Sequence, residues 1–324
     1  MKSALREAAQ NTHEGILPMS AIILGHKNPD TDSIVSAIAC ADLYKKRGLD
    51  VVPAAQGKPA PETAFVLERF GLKAPEVVKS VAGRDVYIVD YSDLNQAPDD
   101  FGDCTLKGIV DHHKLGDMTS SAPLEIVVMP VGCTNTILKR MYDYLGFAPS
   151  KEIAGAMLCA ILSDTVIFKS PTCTPTDRAA AAELAAIAGI EDVKALGMEL
   201  FTAKSAVKGV PARDLIMRDF KDFNMSGNKV GIGQLELVDL ALLEDRIPEL
   251  VEELGRMKAE GRHTAMLLLT DIMKEGSLLL MASDDPAKIA GAWGKTLGSD
   301  NLWLEGVMSR KKQVVPNLEA AFKA

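Results

Sequence analysis

The 324-residue sequence has few aromatic residues, no closely spaced cysteines and no long apolar run. Aromatic residues make up 5% of the chain and the net charge is −8, unlike the basic, aromatic-rich surfaces that bind single-stranded nucleic acid. No apolar run approaches the roughly 20 residues of a membrane helix. The five cysteines include no C-x-x-C pair, which is typical of reduced thiols in a cytoplasmic protein. We therefore expect neither a nucleic-acid nor a membrane partner.

The length and composition are those of a globular chain with two ordinary domains. Hydrophobic residues make up 47% of the chain and charged residues 25%. Residues 1–19 carry charges of both signs and no apolar core, so we interpret them as an N-terminal extension and not as a signal peptide. Gly209 and Pro211 interrupt a helical pattern, which predicts a linker at residues 205–213 between domains at 20–204 and 214–324.

A polar loop follows the first apolar segment, Ala21–Leu24, which predicts a buried strand, and a helix is predicted from Ser33 to Arg47. The loop contains His26, Asp30 and Asp32. Ligands bind beyond the carboxyl ends of parallel strands, which is where this loop would lie. Mixed nitrogen and oxygen ligands suit Mn, Zn, Fe or Co. The same residues also fit a plain Asn-Pro-Asp turn with an Asp helix cap, so this loop alone leaves both interpretations open.

Further apolar segments also run directly into titratable residues. Predicted strands at residues 86–89 and 105–110, and a predicted helix at 152–162, are followed by these side chains: Asp90, Asp111, His112, His113 and Asp164. Adjacent titratable side chains are costly to bury without partners, although a solvated turn is the alternative. Neighbouring side chains in a loop diverge, so one histidine can bind a metal while the other donates a proton or binds an anion. Asp111 can orient a ring.

The start of one further helix and a cluster of cations near the C-terminus suggest anion binding. Gly132-Cys133-Thr134 opens a helix predicted at residues 134–145, where free N–H groups can contact an anion or simply be capped. Arg310, Lys311 and Lys312 lie between apolar, strand-like residues. Arg binds phosphate oxygens in a bidentate manner and Lys acts as a point charge. The alternative is a solvated edge strand protected by its lysines.

The order of predicted elements indicates the fold class. Short strands alternate with helices up to residue 204, which predicts an α/β domain with a parallel sheet. The rest predicts a smaller α/β domain. Its strands are predicted at residues 216–224, 229–237, 265–271 and 277–282, and its helices at residues 246–260 and 286–293.

Together these features predict a hydrolytic phosphoryl-transfer site in the cleft between two domains. The N-terminal part supplies imidazoles and carboxylates, and the C-terminal part supplies cations. Two metal ions about 3.5–4 Å apart, bridged by a shared carboxylate, would activate water as a nucleophile. The cations would bind the leaving phosphate and offset the charge that develops in the transition state.

The motifs G-H-K-N-P-D-T-D-S, V-D-Y-S-D, D-H-H, S-D-T and S-R-K-K-Q together resemble the family II, manganese-dependent inorganic pyrophosphatases of the DHH phosphoesterase superfamily. The resemblance covers nearly the whole chain after residue 20. It implies a parallel-sheet DHH domain, a smaller DHHA2-like domain and an active site in the cleft between them. It also implies hydrolysis of inorganic pyrophosphate to two orthophosphates (EC 3.6.1.1) by a hydroxide that bridges the metals.

The resemblance also implies a role for each site residue. One metal would be held by His26, Asp30 and Asp90, and the other by Asp32, Asp90, His112 and Asp164, with Asp90 bridging. His113 would act on the leaving phosphate as a ligand or proton donor. The phosphates would be bound by Lys221, Ser309, Arg310 and Lys311, of which Arg310 and Lys311 assist catalysis. Members of the family use two Mn²⁺ per subunit, with Co²⁺ as a substitute and Mg²⁺ entering with the substrate, and form homodimers through the N-terminal domain.

Two alternatives remain at this stage. One is a DHH phosphodiesterase or exonuclease that acts on nucleic acid or dinucleotides, which the low aromatic content and negative charge disfavour. The other is a metal- or phosphate-binding protein without catalytic activity. Such a protein would tolerate the loss of His113 or Lys311 without a functional change.

Overall fold

Residues 20–207, 209–296 and 301–323 are described by a computed structural model. The extension predicted at residues 1–19 lies outside the described residues. Within these ranges, no helix is both long enough and apolar enough to cross a bilayer.

The N-terminal half is built on a six-stranded, fully parallel sheet in the order β3-β2-β1-β4-β5-β6. Its strands are β1 Ala21–Leu24, β2 Val51–Ala55, β3 Glu76–Val77, β4 Asp85–Val89, β5 Thr105–Asp111 and β6 Glu125–Val128. The chain leaves β1 in one direction towards β3 and returns on its other side at β4. Ligands bind at such a reversal of strand order, so the loops after β1 and β4 border the expected crevice.

Six helices accompany this sheet. They are α1 Thr31–Lys46, α2 Pro61–Arg69, α3 Thr134–Tyr144, α4 Lys151–Asp164, α5 Pro175–Ala188 and α6 Val193–Lys204. Helix α4 is buried along almost its whole length because its sequence is apolar on every side. It packs against α1, α3, α5 and α6, and the main core of the N-terminal half forms around it.

The C-terminal half contains a five-stranded mixed sheet in the order β11-β10-β9-β8-β7, in which only β8 and β9 are parallel. The strands are β7 Phe220–Met225, β8 Asn228–Leu237, β9 Thr264–Asp271, β10 Gly276–Ser283 and β11 Asn301–Glu305. The helices are α7 Ala212–Met217, α8 Ile247–Ala259, α9 Pro286–Gly291 and α10 Val315–Lys323. Every residue of β9 is buried, because alternate side chains enter separate cores on the two faces of the sheet.

In the C-terminal half, one predicted strand starts too early, and the alternative of an edge strand around the cations is wrong. The segment predicted as a strand from Ile216 begins as helix α7, whose Leu215 and Ile216 are buried against β8 and α8, and the strand starts only at Phe220. The strand-like residues around the cations instead form a π-helical turn at Arg310–Val314 that leads into α10. The Gln313 side-chain oxygen accepts the N–H groups of Met308 (2.8 Å) and Ser309 (3.0 Å), which closes this turn.

The two halves touch through an apolar cluster and two lysines. Val166 and Phe201 of the N-terminal half pack with Ile272 and Met308 of the C-terminal half. The Lys169 ammonium donates to the Ile272 carbonyl at 2.8 Å. In the other direction, the Lys312 ammonium donates to the Pro171 carbonyl at 2.7 Å. These contacts bring the end of α4 close to the turn that carries the cations.

Candidate active site

Asp90 lies at the centre of the candidate site. It follows β4 in a left-handed backbone conformation, with φ of 68°, and its side chain is buried. One carboxylate oxygen is 3.3 Å from His26 Nε2, and the other is 3.4 Å from His112 Nε2. Strained backbone of this kind persists where the surrounding structure enforces it, often at functional sites. The two oxygens of Asp90 thus face two different histidines, which is the arrangement that a bridging ligand requires.

The loop after β1 brings His26 and Asp30 to this carboxylate. Asp30 caps α1 by accepting the Ser33 N–H at 2.9 Å, and its other oxygen is 3.5 Å from His26 Nε2. The His26 Nδ1 atom is 2.7 Å from the Lys27 carbonyl, which assigns the proton to Nδ1 and turns Nε2 towards the acids. Burial lowers the pKa of His26, but the charges of Asp30 and Asp90 outweigh it and raise that pKa well above its usual value.

Asp32 lies in the first turn of α1, because this helix begins two residues earlier than predicted. Its buried carboxylate accepts the Thr134 N–H at 2.7 Å, the Asn135 N–H at 3.2 Å and the Asn135 side-chain amide at 2.7 Å. The N-terminus of α3, predicted to contact an anion, therefore binds the protein's own Asp32. Sequence reasoning did not identify Thr134 and Asn135 as its partners.

Asp164 ends α4 and lies beside Asp32. Ligand atoms of Asp32, Asp164 and Cys133 are all within 4.8 Å of one another. Burial and the charges of Asp32, Asp30 and Asp90 raise the pKa of Asp164 well above its usual value. Burial also raises the pKa of the Cys133 thiol, which donates to Asp32 at 3.1 Å.

The donor set fits divalent metal ions. Two further groups, Asp90 with His112 and His113, and His26 with Asp30 and Asp90, also have their ligand atoms within 4.8 Å of one another. Carboxylates this close cannot all remain ionised unless a cation lies between them. Imidazole nitrogen with carboxylate oxygen, and no thiolate, is a donor set that suits Mn²⁺. Asp90 thus belongs to two of the three groups, while Asp32 and Asp164 form the third group with Cys133.

The three side chains of the D-H-H motif at the end of β5 make different contacts. The Asp111 carboxylate accepts both the His113 backbone N–H (3.0 Å) and His113 Nδ1 (2.9 Å), so it orients that ring as predicted. His112 Nδ1 instead contacts the Val131 carbonyl at 3.1 Å. Burial and the neighbouring His112 lower the pKa of His113 to about 4, which keeps its ring neutral at pH 7.

The cations of the C-terminal half face these acids. Burial lowers the pKa of Lys311, while the nearby charges of Asp111 and Asp90 oppose that effect. Lys221, on β7, is close enough to Asp30 to help lower the pKa of that carboxyl group, which burial alone would raise. The structure therefore brings Lys311 and Lys221 to the metal-ligand side of the boundary between the two halves.

Arg310 and Ser309, which were predicted to bind phosphate, form hydrogen bonds with other groups of the protein. The Arg310 guanidinium is buried and donates to the Asp219 carboxylate (2.6 Å), the Asp219 carbonyl (2.6 Å) and the Ile232 carbonyl (3.1 Å). The Ser309 hydroxyl accepts the N–H of Lys312 at 3.3 Å and so caps the π-helical turn. Asp219 was missed by sequence reasoning, although its position two residues before Lys221 was a usable signal.

A strained turn follows Asp164. Residues 166–168 are left-handed, with φ of 50°, 50° and 64°, although two of them, Val166 and Ile167, are β-branched. The Thr165 hydroxyl accepts the Phe168 N–H at 3.2 Å and stabilises the turn. Val166 is thereby directed into the apolar cluster that joins the two halves.

Family models match both halves of the chain. The DHH family, N-terminal domain, matches residues 20–161, and the DHHA2 domain matches residues 198–321. A protein of Archaeoglobus fulgidus, named a probable manganese-dependent inorganic pyrophosphatase, is 50% identical over 93% of this chain and 97% of its own length. A manganese-dependent inorganic pyrophosphatase of Methanothrix thermoacetophila is 44% identical over 93% of this chain and 98% of its own length.

The chain belongs to the manganese-dependent inorganic pyrophosphatase family. A solved structure from Methanococcus jannaschii, assigned to the family II inorganic pyrophosphatases, agrees with this chain at a TM-score of 0.82 and 41% identity. It covers 94% of this chain and is itself covered completely. The resemblance drawn from the motifs and the predicted α/β fold class are thus confirmed. The parallel six-stranded sheet and the smaller second sheet are the two halves of a manganese-dependent inorganic pyrophosphatase.

Proposed function

We propose that this protein hydrolyses inorganic pyrophosphate to two orthophosphates at the boundary between its two halves. The observation that carries the proposal is Asp90, whose two oxygens face His26 and His112, with the cation Lys311 nearby. A bridging carboxylate opposite a cation fits the cleavage of a small, highly charged phosphate anhydride. The names of relatives that are 44–50% identical support the same substrate.

We assign the metal-binding roles as two overlapping sets. One metal would be held by His26, Asp30 and Asp90, and the other by Asp32, Asp90, His112 and Asp164. Two Mn²⁺ ions per subunit, bound there, would lower the pKa of a water molecule and supply the nucleophile for in-line attack. The mixed nitrogen and oxygen ligands would also accept Co²⁺ as a substitute, and Mg²⁺ would enter with the substrate.

The protein's own residues bind the substrate and stabilise the transition state. Lys221 and Lys311 offset the charge of the pyrophosphate oxygens. The negative charge of the bound substrate raises the pKa of His113, so this ring, held by Asp111, takes up a proton and then binds or protonates the leaving phosphate. Arg310 and Ser309 complete the phosphate-binding set. Because Asp219 already binds the Arg310 guanidinium, this arginine reaches the substrate only through its remaining N–H groups or after that ion pair rearranges.

We further propose that the protein is a cytoplasmic homodimer whose N-terminal domain, residues 20–204, is joined by a linker at 205–213 to a substrate-binding domain at 214–324. The edge strand β6 supports dimerisation, since Ile126 and Val128 are exposed there. Unpaired edges of this kind readily pair with another chain. Ile126→Lys should therefore convert the dimer to a monomer in sedimentation velocity.

The five free cysteines support the cytoplasmic location, because thiols stay reduced in that compartment.

The first test is phosphate release by metal-stripped protein reloaded with Mn²⁺ and supplied with Mg²⁺. Pyrophosphate, ATP and a short single-stranded oligonucleotide are compared as substrates. We expect rapid release from pyrophosphate alone, lost in Asp90→Ala and retained in Asp103→Ala, a matched change at an exposed carboxylate. Oligonucleotide cleavage with little pyrophosphate hydrolysis would instead assign the protein to the phosphodiesterases. Metal binding without turnover on any substrate would indicate a non-catalytic binding protein.

A further inference from the structure

The ammonium group of Lys204 lies between carboxylates from the two halves of the molecule. Its Nζ atom is 2.6 Å from Glu236 on β8 and 3.5 Å from Glu62 in α2, and it donates to the Ser163 hydroxyl at 3.3 Å. The side chain is only 25% exposed. None of the catalytic or metal-binding roles assigned above uses Lys204, so this partly buried cation lacks an explanation.

The Lys204 ammonium compensates the negative charge of several nearby carboxylates. Glu62 is 5% exposed, and burial raises its pKa while Lys204 opposes that effect. Burial lowers the pKa of Lys204, but Glu236, Glu62 and Asp164 together raise it well above its usual value. Removing one partner of a buried ion pair leaves the other charge uncompensated, which is strongly destabilising. Without the ammonium, Glu62 and Glu236 would repel each other across the boundary between the halves.

The position of Lys204 in the chain strengthens the argument. It is the last residue of α6, which packs against α2 and α4 of the N-terminal half. The backbone at this point is held by the C-terminal half, because the Arg218 guanidinium donates to the carbonyls of Lys204 (3.1 Å) and Ala206 (2.6 Å). The side chain therefore joins the two halves where the chain passes from one to the other.

We propose that Lys204 is a positioning residue that holds the two halves in the arrangement in which Lys221 and Lys311 face the metal-site carboxylates. This inference rests on the proposed pyrophosphatase function, because the apposition matters only for an anion bound between them. The substrate also attracts the cations towards the metal site. High substrate concentration should therefore compensate for a missing Lys204 charge, so the loss should raise KM more than it lowers kcat.

The kinetic test compares Lys204→Met, Lys204→Arg and Glu236→Gln with the Mn²⁺-loaded wild type. We expect Lys204→Met to raise the KM for pyrophosphate by at least about tenfold, as expected for breaking a partly buried ion pair. The kcat should remain within about threefold of wild type. Lys204→Arg should restore most of the affinity. The double variant Lys204→Met/Glu236→Gln should have a lower KM than Lys204→Met, because one of the repelling acids is gone.

A second readout does not depend on activity. Small-angle X-ray scattering of the Mn²⁺-loaded protein without substrate should give a larger radius of gyration for Lys204→Met than for wild type, and the double variant should reverse the increase. A fall in kcat at unchanged KM, or identical scattering from all variants, would overturn the proposal. If Lys204→Met does not fold, Glu236→Gln alone must raise KM or the proposal fails. A wild type inactive on pyrophosphate would refute the function while leaving the scattering comparison to decide whether Lys204 joins the halves.

Discussion

Asp111 shows how a residue outside the proposed ligand sets can control the site. Its buried carboxylate binds the His113 ring and backbone, and His113 outweighs burial to lower the pKa of Asp111 to about 2. We expect Asp111→Asn to reduce kcat by about 10–100-fold, the usual effect of losing a residue that orients a functional histidine. Mn²⁺ content should stay near that of wild type. Asp103→Asn, a matched change at an exposed acid, should leave kcat unchanged, and equal turnover in both variants would contradict the role.

The neighbouring lysines 311 and 312 provide a second comparison at the level of single residues. Lys311 faces the acids, whereas Lys312 donates to the Pro171 carbonyl. Lys311→Ala should abolish turnover while metal content stays near two ions per chain, because only the phosphate-binding charge is lost. Lys312→Ala should retain turnover within about tenfold. Phosphate release and metal analysis measure both effects, and an active Lys311→Ala enzyme would refute its role in substrate binding.

Some of the site could be predicted from local sequence and some could not. Asp90 and the D-H-H residues were identifiable because each directly follows an apolar strand, and the carboxyl ends of parallel strands share one edge. The pairing of Arg310 with Asp219 was not predictable, since 91 residues separate them and only the packed C-terminal sheet brings them together. Local patterns identify chemically suited residues, but tertiary contacts decide which of them are already bound by the protein itself.

At the scale of whole elements, two helical glycines offer a matched test of packing. A Cβ on Gly155 of α4 would lie 2.1 Å from the Phe70 ring, whereas a Cβ on Gly255 of α8 would meet nothing within 4 Å. Gly155→Ala should destabilise the fold by about 1–3 kcal/mol through overpacking. Gly255→Ala should stabilise it by about 0.5–1 kcal/mol, because alanine favours the helix. Urea unfolding measures both changes. If the two variants changed the free energy of unfolding in the same direction, this description of the α4 packing would be refuted.

The sequence located most strands and helices but erred where a short apolar segment was ambiguous. Four or five apolar residues fit a buried helix turn as well as a strand. Residues 212–217 form α7 because Leu215 and Ile216 fill the core beneath β8, a fact that the local pattern does not contain. The turn at Arg310–Val314 likewise depends on the Gln313 side chain reaching back to two backbone N–H groups. Side-chain capping of this kind is visible only once the fold is known.

At the scale of the whole molecule, metal removal should lower stability. Asp30, Asp32, Asp90 and Asp164 lie close together, and their charges repel unless cations separate them. Adding Mn²⁺ at 100 times its dissociation constant should stabilise the stripped protein by about 2.7 kcal/mol for each independent site. A thermal unfolding scan with and without chelator measures this effect. The increase in Tm should be much smaller in Asp90→Ala, and a full response in that variant would contradict the central position of Asp90.

The apposition of the two halves was predicted from the complementary chemistry of their side chains and from family resemblance, not from any local pattern. The local sequence around Lys311 does not indicate that this lysine lies near Asp111 and Asp90, which are far away along the chain. That arrangement depends on the Val166 cluster, the two lysine contacts and the geometry at the end of α6. Composition and periodicity indicated two α/β units, whereas the packing between these units determines how they face each other.

The order of the site residues along the chain has a consequence for biosynthesis. All six proposed metal ligands, His26 to Asp164, belong to the first half, whereas Lys221 and Lys311 are translated later. Domains generally fold as they emerge from the ribosome, N-terminal first, so the nascent chain contains all the proposed metal ligands before the proposed phosphate-binding lysines are made. We therefore expect a ribosome-bound N-terminal half to present the proposed manganese ligands without the lysines proposed to bind pyrophosphate.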